Sequence, residues 1–257
     1  MGLHFFMGFV ILATRYPHLS HEARANATRL WSQKFLKMLS IELHVHGNIP
    51  DTFQHNTLLV SNHISWLDII ALTACTPTRF IAKKEIRSWL FVGKMAEIGG
   101  TLFIDRTNRR DASRVNRHMA EALQDGDCLA VFPEGTTSTG VTLLPFKSSL
   151  FESAILAKSV VQPVTIRYQD RQGKHTAAPS YAGETTFWES LSRLLRQKSM
   201  VVELYYGEKL AAGSEPFLTR FELAEAARHE IAAGFKQSPD KLDTAVQTIA
   251  CPPIEAQ

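Results

Sequence analysis

The sequence predicts a single α/β domain, with a largely parallel or mixed sheet flanked by helices and an N-terminal apolar and amphipathic helical element in front. Three observations predict it. Short apolar runs alternate with helical patterns from residue 41 onward, which implies a sheet covered by helices. Polar clusters fall where four of those runs end, and open α/β sheets carry their ligand sites there. The chain has 257 residues, 45% apolar and 21% charged, a composition that fills a sizeable core and shows no sign of disorder.

The elements follow in order. "IELHVHG" alternates Ile41, Leu43 and Val45, a half-buried strand, and places His44 and His46 on its solvated face. "TLLVSN" is a short buried strand, followed by a helix from about Ser65. "TRFIAKK" reads as a strand and "SWLFVGKMAEIGG" as a helix stopped by Gly99 and Gly100. "TLFIDR" is a strand, then Asp111 to Asp125 a helix ended by Gly126. "CLAVFPE" is a strand running into the polar turn "GTTSTG". "SSLFESAILAKS" is a helix, and "VVQPVTIRY" a strand whose Pro163 predicts an edge or a bulge. Residues 169–198 are polar, then helical; "MVVELYYGEKL" is the last strand and 219–236 the last helix. The predicted division is residues 1–40 for the N-terminal helices, 41–238 for the α/β domain, and 239–257 for a loose tail.

The N-terminal element addresses a membrane surface. Gly2 to Ala13 is a 12-residue apolar stretch. That is shorter than the roughly 20 residues a spanning helix needs. It also lacks the basic flank and cleavage site of a signal peptide. Behind it, Trp31, Phe35, Met38 and Leu39 share one helical face, accompanied by Arg29, Lys34 and Lys37. Such a face suits a helix lying in a membrane interface, or an ordinary helix packed on a core. The formal net charge of +3 is too small to argue for nucleic acid and is compatible with anionic lipid or a phosphorylated substrate. Cys75, Cys128 and Cys251 have no metal or disulfide spacing, which places the chain in a reducing compartment.

The chemistry gathers in "NHISWLD", "IDR", "PEGTTS" and "QPVTI". Five positions on one ideal helix would put His63 and Asp68 about 140° apart. If His63 lies in the turn and Asp68 in the first helical turn, the carboxylate can fold back, fix the imidazole tautomer and leave the other ring nitrogen free for a proton. Alternatively Ser65 and Asp68 cap the helix. Arg106, at a strand end, is placed either to bind phosphate or to pair with Asp105 or Asp111. Glu134 and Gly135 form a turn whose amides can face an anion, or a plain glycine turn. No GxSxG elbow, P-loop or GxGxxG is present.

These four blocks, in this order, resemble those of the glycerolipid acyltransferase family, which includes bacterial 1-acylglycerol-3-phosphate acyltransferases. "NHISWLD" is similar to its NHx4D block, "GTLFIDR" to the second, "FPEGTTS" to the third, usually FPEGTRS, and "VVQPVTI" to the fourth. The likeness spans residues 60–166. It implies that His63 is a general base oriented by Asp68, and that the acyl group passes from acyl-CoA or acyl-carrier protein to a lysolipid hydroxyl without cofactor, metal or acyl-enzyme. It implies that Arg106, Glu134, Gly135 and Thr136 hold the acceptor head group, and that Lys83 touches phosphate. It further implies a peripheral or monotopic protein on the cytoplasmic face of the bacterial inner membrane.

One position departs from the family pattern. Thr137 stands where the third block usually has arginine. A phosphate monoester carries about −1.5 to −2 charge. The missing cation therefore weighs more against lysophosphatidate than against lyso-ornithine lipid or a zwitterionic lysophospholipid. Lys147 is the candidate to replace it. Lysophosphatidate ranks first. A thioesterase, a silent lipid-binding protein and a homodimeric scaffold are the other classes. The acceptor-binding blocks speak against the first and the intact His–Asp pair against the second; nothing speaks for the third.

Overall fold

A computed structural model of the chain describes residues 18–47, 54–83, 87–88, 92–98, 100–104, 109–236 and 247–248. The apolar stretch of residues 2–13, Arg106 and most of the expected tail lie outside the described residues. The elements are α1 (His21–Met38), β1 (Ile41–Gly47), β2 (Thr57–Ser61), α2 (Leu67–Cys75), β3 (Arg79–Lys83), α3 (Val92–Ile98), β4 (Leu102–Ile104) and α4 (Arg109–Gln124). They continue with β5 (Cys128–Val131), a 3-10 turn (Ser148–Phe151), α5 (Glu152–Ala157), β6 (Val160–Gln169), α6 (Phe187–Leu195), β7 (Met200–Tyr206), β8 (Leu210–Ala211), α7 (Arg220–Lys236) and β9 (Gln247–Thr248). No helix among the described residues is long and apolar enough to cross a membrane.

The strands form one mixed sheet in the order β4-β3-β5-β2-β6-β7-β1-β9, with β8 beside β6. From β4 to β6 every pairing is parallel; β7 runs antiparallel to β6, and β1 parallel to β7. The carboxyl ends of β2, β3, β4 and β5 therefore share one edge of the sheet, and the polar clusters after β2 and β5 lie there, while "QPVTI" lies inside β6, with Val164 opposite Ser61.

The apolar runs have no polar alternation because both sheet faces are covered. In β2, Leu59 joins a core with Phe35, Leu36, Leu67, Leu72, Val164 and Ile166. Leu58 and Val60 join the opposite core with Met119, Leu123, Leu129, Phe151 and Ile231. The face of α1 offered to a membrane is partly spent on the first core, with Phe35 only 1% exposed, while Met38 stays at the surface. Gly126 ends α4 as predicted. It takes φ +94°, its N–H reaches Leu123 O and that of Asp127 reaches Ala122 O, the paired closure that a left-handed residue makes at a helix end.

Two expectations are corrected. β6 is central, not an edge. Pro163 is tolerated there because its carbonyl faces the gap between β8 and β7, where it accepts from Gly207 N, so its missing N–H also points to a gap. His46 is not solvated. It is 2% exposed, stacked on Tyr205 at 4.4 Å, with Nε2 3.7 Å from the buried Glu203.

Candidate active site

The site starts where β2 ends. Asn62 donates from Nδ2 to Ile166 O (3.0 Å) and accepts at Oδ1 from Ile166 N (2.8 Å). A side-chain amide has one acceptor and one donor end, so it continues the strand ladder to β6 while its own backbone turns away. His63 occupies that turn. The helix begins at Leu67, two residues later than expected, and puts Asp68 in its first turn. Ser65 is not the cap residue; its Oγ accepts from Leu67 N (3.2 Å), and its N–H donates to Asp68.

Asp68 folds back onto His63, as the spacing allows. Its Oδ2 accepts from His63 Nδ1 (2.8 Å), Ile64 N (2.7 Å) and Ser65 N (2.9 Å). Its Oδ1 accepts from the Tyr168 hydroxyl (2.7 Å). The carboxylate has no exposed surface, and four donors at a helix N-terminus offset the cost of burying it. Burial and the adjacent Asp68 charge push the Tyr168 phenol well above its ordinary value, so it remains a neutral donor.

His63 is held on every side except one. Its ring stacks on Phe132 at 3.9 Å with 9° between planes. Its N–H donates to Glu134 Oε1 (2.7 Å), and its carbonyl accepts from Ser138 N (2.8 Å). The side chain stays 20% exposed. With Nδ1–H committed to Asp68, Nε2 is the nitrogen able to take a proton from a hydroxyl or a water.

Glu134 differs from its expected role as an acceptor contact. It is buried, and its second oxygen accepts from Leu144 N (3.0 Å), so both oxygens are spent on backbone amides. Burial raises its pKa above the usual carboxylate value, and those amide bonds work against the rise. It stitches the turn after β5 to the turn after β2. Gly135 does make the predicted turn, with φ +72°. A Cβ there would collide with Lys147 Nζ and lie 2.8 Å from its Cε, so the Lys147 ammonium rests against this turn. Thr136 is exposed on the same turn. Thr137 Oγ1 donates to Tyr181 O and faces the segment after β6. Lys83 ends β3, opposite Ile104 of β4 on the site's edge of the sheet; its side chain, like all of Arg106, is outside the described residues.

Sequence reasoning missed Tyr168, Phe132 and the segment after β6. That segment packs on the turn that carries His63. Tyr181 N donates to Ile64 O (3.0 Å), Ser180 Oγ to Ser138 O (3.0 Å), and Trp66 Nε1 to Ser190 Oγ (3.2 Å). One signal for Tyr168 was legible: on β6 it lies two positions from Ile166 and so on the same face. Among the described residues, no three His, Cys, Asp or Glu side chains gather as a metal-binding set.

Comparison with known proteins identifies the family. The family model described as Acyltransferase matches residues 40–167. The chain is 39% identical over 214 residues to a 1-acyl-sn-glycerol-3-phosphate acyltransferase of Neisseria meningitidis serogroup B, covering 82% of this chain and 83% of that one. It is 37% identical over 208 residues to a lyso-ornithine lipid O-acyltransferase of Pseudomonas aeruginosa, covering 81% and 78%. The crystal structure of the 1-acyl-sn-glycerophosphate acyltransferase from Thermotoga maritima superimposes with a TM-score of 0.65 at 22% identity, covering 92% of this chain and 95% of that one; this likeness concerns the fold. The chain belongs to the acyltransferase family and is an acyltransferase, acting between an acyl donor and a lysolipid acceptor.

Proposed function

We propose that this acyltransferase moves a fatty acyl group from the thioester of acyl-CoA or acyl-carrier protein to the free hydroxyl of 1-acylglycerol-3-phosphate, giving phosphatidic acid. The observation that carries the mechanism is the four-donor seat of Asp68, which fixes His63 with Nδ1 inward and Nε2 free. His63 Nε2 removes the acceptor's hydroxyl proton as the oxygen attacks the thioester carbonyl. The imidazolium is stabilised by Asp68. The tetrahedral intermediate collapses, the C–S bond breaks, and the thiol leaves with the proton from His63. No acyl-enzyme, cofactor or metal takes part.

The acceptor phosphate is bound at the turn Gly135–Thr136, with the Lys147 ammonium resting there and with Arg106 and Lys83 from the neighbouring strand ends. Lys147 takes the place of the cation that Thr137 does not supply. A second reading, transfer to a lyso-ornithine lipid, is favoured by Thr137 itself, whose hydroxyl serves the Tyr181 carbonyl and not an anion. The enzyme works at the cytoplasmic face of the membrane as a peripheral or monotopic protein, since acceptor and product are both lipids.

The test is thiol release from acyl-CoA and from acyl-carrier protein in mixed micelles, with lysophosphatidate, lyso-ornithine lipid, a zwitterionic lysophospholipid or no acceptor, beside His63→Ala. Release that requires an acceptor and disappears in the variant supports the reading, and the best acceptor decides between its two forms. Release without acceptor makes the protein a thioesterase; release surviving His63→Ala ends the mechanism.

A further inference from the structure

α6 carries apolar side chains on two faces, about 100° apart around the helix. Ser190 and Leu194 are buried, and Phe187 packs against Trp66 with ring centroids 5.3 Å apart. Trp188 and Leu195 are seven positions apart, so they lie one above the other on the other face. They are 75% and 54% exposed. One apolar stripe suffices to seat a surface helix; a second, headed by a tryptophan, gains nothing in water.

Cations border this stripe. Trp188, Ser192, Arg193, Arg196, Thr185 and Glu189 line a groove of about 570 Å³. Glu189 is engaged with Thr186 in the helix cap (2.7 Å). Arg193 donates to Ser180 O (2.9 Å) from the groove wall. Arg196 and Lys198 are exposed, and no ion pair engages them among the described residues. Phe221, another exposed aromatic, makes the contrast. Its ring is covered by Arg220 at 4.9 Å, and Glu222 and Glu225 stand nearby on its helix.

We propose that α6 is a docking face for an anionic phospholipid surface. Trp188 and Leu195 enter the interfacial layer, while Arg193, Arg196 and Lys198 meet lipid phosphates. Tryptophan suits this layer because its ring is apolar and its N–H is polar. The placement fits the reaction, and in this respect the proposal rests on the function proposed above. Trp66 of the catalytic turn bonds Ser190 of α6, so the docked helix borders the mouth at His63. An unbroken run of aromatic contacts, Trp31–Phe35–Trp66–Phe187–Trp188, joins α1, the catalytic turn and α6.

The experiment uses the full-length protein with vesicles of phosphatidylcholine alone or mixed with phosphatidylglycerol, each carrying brominated lipid as a quencher. The mixed vesicles should quench a tryptophan component that Trp188→Phe lacks, and zwitterionic vesicles should quench it far less. Each cation at an anionic surface contributes about a factor of five. Arg196→Glu with Lys198→Glu should therefore weaken vesicle binding by at least tenfold, an estimate on the order of that contribution. Trp188→Ser with Leu195→Ser should keep full activity on acceptor in detergent micelles and lose most of it on acceptor in vesicles. Equal quenching in wild type and Trp188→Phe, vesicle activity unchanged in the double variant, or burial of Trp188 in a dimer seen by light scattering would each overturn the proposal. His63→Ala separates the two readings. It should leave quenching intact, and if it also leaves activity intact, the mechanism falls while the docking face stands.

Discussion

Among the described residues, His63 and His46 each lie beside a buried carboxylate, and only His63 keeps part of its ring exposed. His63 meets Asp68 at 2.8 Å with its ring 20% exposed. His46 meets Glu203 at 3.7 Å, with both side chains 2% exposed. Asp68 sits in a turn at a strand's carboxyl end and draws on two backbone N–H groups, a phenol and the imidazole. Glu203 sits within β7, and its Oε2 accepts from Gln169 Nε2 (2.7 Å) and the Tyr205 hydroxyl (2.8 Å). Burial raises the Glu203 pKa, but the His46 and Tyr205 contacts and the Arg167 charge bring it below the usual carboxylate value. A carboxylate neighbour is thus common to both pairs. The difference is that the turn at a strand end leaves part of the ring exposed, whereas a strand interior covers the whole ring.

The contrast can be broken most sharply at Asp68. Asp68→Asn removes the acceptor that selects the Nδ1–H tautomer, and kcat should fall on the order of 10³–10⁴-fold, the scale of a misplaced tautomer in a His–Asp pair. A steady-state assay that finds less than tenfold loss would mean Asp68 only caps α2. Next comes Tyr168→Phe, which deletes one hydrogen bond to a charged oxygen. We expect about a tenfold loss in kcat, with KM nearly unchanged, because a bond to an ionised group is worth ~1.5–3 kcal/mol and part of it is replaced by relaxation. A pH–rate profile should move in this variant, a change that loss of packing alone would not produce.

The other pair should respond in the opposite sense. His46→Phe keeps the stack on Tyr205 and removes the imidazole beside Glu203. Urea unfolding should show a stability change of about 1–3 kcal/mol, while kcat stays within twofold of wild type. Loss of activity without loss of stability would give the His46 cluster a role in catalysis.

The smallest effect concerns alkaline pH. Burial pushes the Cys128 thiol from 9.0 up to about 12, and it raises Cys75 and Tyr206 as well as Tyr168. The folded state keeps these protons after the unfolded chain, with values near 9 and 10, has begun to lose them. Their contribution to stability is therefore full below pH 9 and falls as pH rises beyond it. The urea midpoint should drop between pH 8.5 and 10.5, and drop less in Tyr168→Phe, whose unfolded chain has one proton fewer to release.

Hydrophobic periodicity and the order of four blocks were enough to read the fold class, most elements and the His63–Asp68 pair. Such signals are local: a strand buried on both faces reads as an apolar run, and a carboxylate in the first turn of a helix lies within reach of the turn before it. The tertiary structure alone decided the neighbours. Tyr168 is 100 positions from Asp68 and Glu134 is 71 from His63, so their contacts depend on strand order and register. Pro163 stands inside a sheet because, along β6, pairing with β8 stops at Val161 and pairing with β7 starts only at Val164. His46 reads as solvated from its alternating strand and is buried because of what the sheet places around it. Residues 169–198 carry no periodic signal over their first half, and their place over the turn that carries His63 follows from hydrogen bonds to Ile64, Ser138 and Trp66. Residue type and spacing determine what a segment can become; which distant partner completes it is settled only when the chain closes into a sheet.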